Sequence, residues 1–278
     1  MQTPAPVDYA RAHSVAEALE LLERYGPESR LIAGGHSLIP MMRLRIAQPE
    51  RVIDINDLTE LDYIRSVSTD GRNYLAIGAL TRHRAILASA VIGEHYAILH
   101  DAERVIADPI VRNRGTIGGS LAHGDGASDL PAVVLALGGT LVARGPGGTR
   151  EIAATDFFSG FLETALEPDE LLCEIRVPKV PGAGWSFQKF NRRAMDWAIV
   201  GAAVVRTGDQ CGIGLVNMST IPLRAGATEA AIAAGASIAE AAALADHGTE
   251  PNADLHASVE YRRHLARVLV GRGLEAAS

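Results

Sequence analysis

The chain has 278 residues, of which 47% are hydrophobic and 21% charged, with a formal net charge of −7. This length is enough for one large or two moderate domains, and the acidic balance argues against a nucleic-acid partner. The two cysteines, Cys173 and Cys211, lack the paired spacing of an iron–sulfur cluster or a cysteine-rich zinc site. Any redox centre would therefore be an organic cofactor or lie on another chain.

The N-terminal stretch predicts a small α/β unit that ends near Asn56. Ser14 and Glu17 have the spacing of a capping box, and Gly26 followed by Pro27 supplies a helix stop. The stretch contains Pro4, Pro6 and Asp8 and does not have the pattern of a signal peptide. The predicted order is a helix from Ser14, a buried strand at 30–33, a glycine-rich segment at 33–37, an apolar helical stretch at 37–46 and a strand at 51–55.

The middle of the chain predicts a larger mixed α/β unit. Its elements are a strand at 74–77, helices at 81–89 and 93–107, a glycine-rich loop at 116–120, a helix at 129–137, a strand at 140–143, a hairpin tip at 144–149 and a strand at 171–177. Pro109 disfavours helix in the residue before it and so ends the second helix. His83, His95 and His100 show no ligand-like spacing, and we interpret them as surface or helix-packing residues.

The C-terminal part predicts a separate domain after a linker at 178–182 that is rich in proline and glycine. Three antiparallel strands are expected at 185–190, 197–206 and 212–218, followed by alanine-rich helices at 229–245 and 259–270. The predicted fold class is α+β: residues 1–177 form a two-part domain with subdomains of about 1–56 and 57–177, and residues 178–278 form the C-terminal domain.

Two segments share a Gly-Gly pair, a hydroxyl residue at the end and an apolar run nearby: Ala33-Gly34-Gly35-His36-Ser37, the first glycine segment, and Thr116-Ile117-Gly118-Gly119-Ser120, the second glycine segment. Either one alone is typical of a turn. Together they favour a site in which backbone amides hold the oxygens of a diphosphate. Neither segment matches the Rossmann or P-loop pattern, which argues against those two sites.

The ordered motifs resemble the medium, FAD-binding subunit of the molybdenum hydroxylases, the flavoprotein component of the carbon monoxide dehydrogenase and xanthine dehydrogenase group. The similarity covers nearly the whole chain. It includes residues 31–40, Ala107-Asp108-Pro109, residues 112–120, Ser128-Asp129-Leu130-Pro131-Ala132, residues 169–172 with 175–178, and Lys189 with residues 193–198. The resemblance implies FAD contacts at Leu31, Ile32, Ala33, Gly34, Gly35, His36, Ser37, Leu38, Ile106, Thr116, Ile117, Gly118, Gly119, Ser120, Asp129, Leu172, Lys189 and Trp197.

Several of these residues also have ordinary structural interpretations. Asp129 could serve the first turn of a helix instead of accepting from a cofactor hydroxyl. Lys189 could be an exposed strand lysine instead of a cation beside the flavin. Trp197 could be a core residue instead of an aromatic neighbour of the isoalloxazine.

The resemblance also implies partners. A large subunit would hold the molybdenum cofactor and a small subunit two [2Fe-2S] clusters, in a dimer of heterotrimers that is cytoplasmic or peripheral to the inner face of the membrane. This chain would pass electrons through non-covalent FAD to a quinone, oxygen, a nicotinamide or a protein. No catalytic residue or metal ligand is expected in this chain.

Two other functions remain open from the sequence. The Gly-Gly-His pattern also occurs where flavoprotein oxidases attach FAD covalently to histidine, which would make this an autonomous oxidase with FAD on His36. A flavin-free assembly protein could keep the fold alone, although the intact glycines at both segments argue against it.

Overall fold

The computed structural model describes residues 3–69 and 71–278, and its main sheets define three units. The N-terminal unit is a parallel sheet in the order β1-β3-β2 with a helix packed against it. Its elements are β1 (Asp8–Arg11), α1 (Val15–Tyr25), β2 (Ser29–Ile32), α2 (Leu38–Arg43) and β3 (Arg51–Asp54). The predicted order of helix, strand, glycine segment, helix and strand is present.

Helix α1 begins where its sequence predicts. The Ser14 hydroxyl accepts from the amide of Glu17, while the Glu17 carboxylate accepts from the amide of His13 instead of that of Ser14. Gly26 has a φ of 66° and ends the helix. The apolar face of the helix is buried in the core of the unit, against Ile53.

The middle unit is built on a five-stranded antiparallel sheet in the order β4-β5-β10-β6-β7. Helices cover one face of this sheet and form the largest core of the chain with it. The elements are β4 (Ile64–Thr69), β5 (Arg72–Gly78), α3 (His83–Ala88), α4 (Ala90–His95), α5 (Ala97–Arg104), α6 (Pro109–Arg114), α7 (Ile117–His123), α8 (Asp129–Ala136), β6 (Thr140–Gly145), β7 (Gly148–Ala153), α9 (Ala154–Phe157), the short pair β8 (Phe158–Gly160) and β9 (Glu163–Thr164), and β10 (Leu171–Pro178).

Two predictions for the middle unit are wrong, and a third is incomplete. The helix expected at 93–107 is divided between α4 and α5, because Tyr96 leaves the helical region at φ −140° and buries its ring in the core. Asp108 and Pro109 do more than end a helix: Asp108 caps α6, whose first residue is the proline. The second glycine segment is not a loop but the N-terminal turn of α7, with Thr116 as its N-cap.

The C-terminal unit is an antiparallel sheet in the order β11-β12-β13-β14 with helices on one face. A two-residue fourth strand is added to the three that the sequence predicts. Gly235, at φ 83°, lies between two helices where one was expected at 229–245, and the last helix is longer than predicted. The elements are β11 (Gly184–Phe190), β12 (Val200–Thr207), β13 (Gln210–Val216), β14 (Leu223–Arg224), α10 (Gly226–Ala233), α11 (Ile238–Ala242) and α12 (Val259–Ala276).

Helix α8 lies between the middle and C-terminal units. All of its residues are buried, as expected for a helix that is apolar on every side. The strand β13 packs directly on its backbone, because a Cβ at Gly212 or Gly214 would collide with the carbonyl oxygens of Ala136 and Ala132. Within the described ranges, none of the helices combines the length and the apolar character needed to cross a membrane.

Candidate functional site

One cavity of about 560 Å³ lies where the three units meet. Its lining comes from different parts of the chain, including Leu31 of β2, Gly119 of α7, Leu172 of β10 and Lys189 of β11. The volume is in the range of roughly 300–1,000 Å³ that is usual for small-molecule and cofactor sites. The sequence motifs predicted to share a ligand are therefore brought to one place.

The first glycine segment connects β2 to α2 and lines the cavity. In the part of the chain that the structure describes, the backbone N–H groups of residues 34–37 have no hydrogen-bond acceptor. Gly35 has a φ of 74°, which favours glycine. A Cβ at Gly34 would collide with the carbonyl oxygen of Arg114, so this position also needs glycine. The segment can donate several hydrogen bonds to an anionic oxygen.

The second glycine segment uses its amides within the protein. Ile117 donates to the Thr81 carbonyl at 3.1 Å, Gly118 to that of Ala79 at 2.9 Å and Ser120 to that of Thr116 at 3.0 Å. Gly119 donates to the Thr116 hydroxyl at 3.1 Å. The prediction that this segment exposes its amides is wrong, because Thr116 caps a helix that the segment begins.

The two glycines of the second segment face different surroundings. A Cβ at Gly118 would lie 2.5 Å from both Cβ and the carbonyl oxygen of Ala79, so this glycine permits close packing of α7. A Cβ at Gly119 would meet only the Thr116 hydroxyl, at 2.8 Å, and Gly119 lines the cavity. Gly119 therefore leaves space for a ligand, and Gly118 leaves space for the protein itself.

Two polar side chains tie the glycine segments together. Asn56 donates to the carbonyl of Ala33 at 2.7 Å, and its own carbonyl oxygen accepts from Arg82 at 2.7 Å. The same guanidinium also donates to the carbonyl of Arg114, two residues before Thr116. The relative position of the two segments is fixed by this chain of hydrogen bonds.

Asp129 and Lys189 form a buried ion pair in the cavity lining, with 2.7 Å between Lys189 Nζ and Asp129 Oδ2. Lys189 also donates to the carbonyl of Val105 at 2.9 Å. The alternative interpretation from the sequence, that Lys189 is an exposed strand lysine, is therefore wrong. Burial raises the pKa of the Asp129 carboxyl, and the charge of Lys189 opposes this rise. Asp129 Oδ1 is buried without a partner among residues 3–69 and 71–278.

The C-terminal unit supplies an aromatic residue at the cavity. Trp197 is 60% exposed and lines the cavity, as does its neighbour Met195 at 62%. The interpretation of Trp197 as a core residue is therefore wrong. A large exposed aromatic surface next to a cavity is suited to stacking on a flat ligand.

Nearly all residues that the sequence assigned to a ligand line this cavity. They are Leu31, Ile32, Ala33, Gly34, Gly35, His36, Ser37, Leu38, Ile106, Thr116, Gly118, Gly119, Ser120, Asp129, Leu172, Lys189 and Trp197. The side chain of Ile117 is instead buried in the core of the middle unit, and a contact at that position stays a prediction.

The sequence interpretation did not assign every residue of the lining, and two of the omissions are informative. His83 was assigned to the surface or to helix packing, yet it is buried against the cavity and lies 3.1 Å from a carboxylate oxygen of Glu103. Ala107 also lines the cavity and has a φ of 43°, which is uncommon for a residue other than glycine. Nothing in the spacing of the sequence around His83 indicates its buried partner, which is 20 residues away.

Comparison with known proteins identifies this arrangement. Residues 5–180 match the family described as the FAD binding domain in molybdopterin dehydrogenase, and residues 185–277 match the CO dehydrogenase flavoprotein C-terminal domain. The chain belongs to the medium, FAD-binding subunits of the molybdenum hydroxylases. The resemblance predicted from the sequence motifs is confirmed, as are the fold class and FAD as the cofactor.

Individual members of this family match the whole chain. The carbon monoxide dehydrogenase medium chain of Afipia carboxidovorans is 39% identical, with 99% of this chain and 97% of the relative covered. The alpha subunit of the 6-hydroxypseudooxynicotine dehydrogenase complex of Paenarthrobacter nicotinovorans is 38% identical over 99% and 95%. The solved carbon monoxide dehydrogenase of Hydrogenophaga pseudoflava has a TM-score of 0.94 at 41% identity, over 99% of this chain and 98% of that chain.

The residues present fit FAD. The amides of the first glycine segment suit a diphosphate, and the cavity side of Gly119 is open to a ligand. The ion pair of Asp129 and Lys189 and the ring of Trp197 offer polar and stacking contacts to a flavin. As a medium subunit, the chain is an oxidoreductase component of a molybdenum hydroxylase.

Proposed function

We propose that this chain is the flavoprotein through which electrons leave a molybdenum hydroxylase, received from iron–sulfur clusters on a partner subunit. The observation that carries this proposal is that the predicted FAD motifs of all three units converge on one cavity. When bound, FAD can take electrons singly and release them as a pair to an acceptor. The chain's own task is to bind and orient this cofactor.

Different groups of residues would bind different parts of the cofactor. The amides of residues 34–37 hold the diphosphate, since they have no acceptor among the described residues. The open face of Gly119 lets the diphosphate approach the second glycine segment. Ile106 and Leu172 supply apolar lining, and Trp197 would offer its ring to the isoalloxazine.

Lys189 has the role of a fixed positive charge beside the flavin. Its ammonium group is held by Asp129 and the carbonyl of Val105, so it stays at one place in the lining. A buried cation stabilises negative charge nearby more strongly than an exposed one, because water screens it less. Asp129 is the positioning residue for this charge.

The partner subunits are part of this proposal, and the named relatives support them. Named members of the family are the medium chain of carbon monoxide dehydrogenase and a subunit of the 6-hydroxypseudooxynicotine dehydrogenase complex. The names of these two enzymes point to very different substrates, carbon monoxide and 6-hydroxypseudooxynicotine. We therefore place substrate selection on a large molybdenum-cofactor subunit. A small subunit with [2Fe-2S] clusters completes a heterotrimer, which forms a cytoplasmic dimer.

The chain would accordingly divide into an FAD-binding domain at 1–177 and a C-terminal domain at 178–278. Support comes from the two family matches, which end and begin at residues 180 and 185. The C-terminal domain contributes Lys189 and Trp197 to the cavity, so both domains are needed for cofactor retention.

The test is anaerobic bleaching of the flavin. FAD on the chain alone should keep its absorbance when candidate aldehyde, N-heterocyclic and carbon monoxide substrates are added, and lose it in the reconstituted complex. A complex that carries Gly119→Val is the matched control: its substrate should still reduce the iron–sulfur clusters, but no electrons should reach the acceptor. Bleaching of the chain alone, by any substrate that the complex uses, would contradict the proposal.

A further inference from the structure

A second buried polar pair lies beside the ion pair of Asp129 and Lys189. His83 Nδ1 is 3.1 Å from Glu103 Oε1, and both side chains are buried. Glu103 is fully buried, and its Oε2 has no partner in the described part of the chain. Burial raises the pKa of the Glu103 carboxyl, and the neighbouring His83 opposes this rise.

Such a pair is costly to keep for stability alone. A buried carboxyl with an unpaired oxygen loses hydration that its single contact does not replace. Buried ion pairs are weak evidence for stability, and apolar residues of similar size often replace them at no cost. Strongly perturbed groups beside a cavity are instead candidates for function.

His83 is placed to reach the cavity contents. It lies in the lining, against Gly115, where a Cβ would be 2.6 Å from its Cδ2 and 3.0 Å from its Nε2. On its other side it meets Glu103, two residues before Val105, whose carbonyl accepts from Lys189. The imidazole thus lies between Gly115, which directly precedes the second glycine segment, and Glu103, which is near the contact of Lys189 with Val105. Its Nε2 has no hydrogen-bond partner among the residues that the structure describes.

We propose that His83 is a further FAD-binding residue, which contacts the cofactor through Nε2, and that Glu103 is a positioning residue that fixes the imidazole through Nδ1. This inference rests on the proposed function. An acceptor at Nδ1 sets the ring orientation and leaves Nε2 for the ligand, as in other sites where one histidine nitrogen is fixed by a carboxylate.

Packing does not require this chemistry. The attachment of α3 to Gly115, directly before the second glycine segment, uses the His83 backbone, whose amide donates to the Gly115 carbonyl at 3.1 Å. That hydrogen bond would remain with any side chain except proline. A leucine could fill much of the same volume, so the imidazole and its carboxylate partner can be removed while the backbone contact remains.

The experiment measures the FAD dissociation constant of the full chain by fluorescence quenching. His83→Leu should weaken FAD binding about tenfold, the effect of one lost hydrogen bond of ordinary strength. His83→Gln places an amide group near the position of Nε2 and should recover part of the affinity. His95→Leu, on the partly exposed face of α4, is the control and should leave the affinity unchanged.

Glu103 is tested by its dependence on His83. Glu103→Leu should weaken FAD binding in the wild-type background and have no further effect together with His83→Leu, because it acts through the imidazole. Glu103→Gln keeps an oxygen that can accept from Nδ1 and should bind FAD within about threefold of wild type.

Thermal unfolding of the FAD-free variants separates binding from folding. Should His83→Leu fail to fold, His83→Asn replaces it, since that side chain is polar but too short to present a group at Nε2. Equal FAD affinity of wild type and a folded His83 variant would overturn this inference and leave the proposed function intact. Failure of the wild-type chain to bind FAD would instead contradict the proposed function.

Discussion

The two glycine segments look alike in the sequence and differ in how the folded chain uses them. In the first, the amides of residues 34–37 have no acceptor in the described ranges, and Gly35 has a positive φ. In the second, the amides of residues 117–120 all donate within the protein, and Thr116 caps a helix. One segment offers donors to a ligand, and the other offers space.

This difference shows that a Gly-Gly pair has at least two physical uses. Glycine can free the backbone to adopt dihedrals that point amides outward, or it can remove a Cβ so that another group comes close. Gly118 and Gly119 both show this second use, but for different neighbours: Gly118 faces Ala79, and Gly119 faces the cavity. Substitutions can test each use alone.

The largest effect is expected for Gly118→Val, which would break the packing of the second segment. Its Cβ would lie 2.5 Å from Ala79, whose backbone cannot move without disturbing β5 and α7. Overpacking of this kind costs about 1–3 kcal/mol or more. Thermal or urea unfolding of the FAD-free chain should show this loss, and a variant as stable as wild type would contradict the packing role.

Gly119→Val should abolish FAD retention with little change in the fold. The added methyl groups would enter the space next to Gly119, and only the Thr116 hydroxyl lies near the new Cβ. Flavin absorbance after gel filtration measures retention, and circular dichroism measures the fold. Full flavin occupancy would remove this residue from the cofactor site.

The two hydroxyl residues sharpen the comparison at smaller magnitude. Thr116→Ala removes the N-cap of α7 and should cost about 1 kcal/mol of unfolding free energy. Ser37 makes no capping hydrogen bond to α2, so Ser37→Ala should change stability by only a few tenths of a kcal/mol, within the usual range for such positions. Urea unfolding of both FAD-free variants measures these changes. Equal losses of unfolding free energy would contradict the difference in capping between the two segments.

The smallest effect is expected for His36→Ala. The autonomous-oxidase alternative would require a covalent bond between His36 and FAD, whereas non-covalent binding would not. The ring Nδ1 of His36 lies 2.8 Å from the Gly34 carbonyl oxygen, a contact within the first segment. Acid precipitation of wild type and of His36→Ala should leave the flavin in the supernatant in both cases. Flavin that stays with the wild-type pellet alone would support attachment at His36.

Much of the fold could be predicted because local signals and burial agree. The N-cap at Ser14, the three predicted C-terminal strands and the apolar stretch of α8 after Asp129 all correspond to elements in the structure. The division at Tyr96 could not be predicted, because the burial of its ring decides it and burial depends on the tertiary structure.

The site was predicted by motif more than by geometry. The glycine segments, Asp129, Lys189 and Trp197 carry recognisable patterns, and all reach the cavity. The pairing of His83 with Glu103 has no such pattern, since residues on α3 and α5 meet only after those helices pack. The use of the Ile117 and Gly118 amides likewise depends on acceptors at Thr81 and Ala79, far away in the sequence.

The burial of α8 has a consequence for how the chain can be divided. One side of this helix rests in the core of the middle unit, and the other is covered by β12, β13 and β14 of the C-terminal sheet. A fragment ending near residue 178 would leave that second side, with Ala132 and Ala136, open to water. Such a fragment would be prone to self-association through the uncovered helix. The FAD-binding domain and the C-terminal domain match separate sequence families, but each needs the other to bury α8.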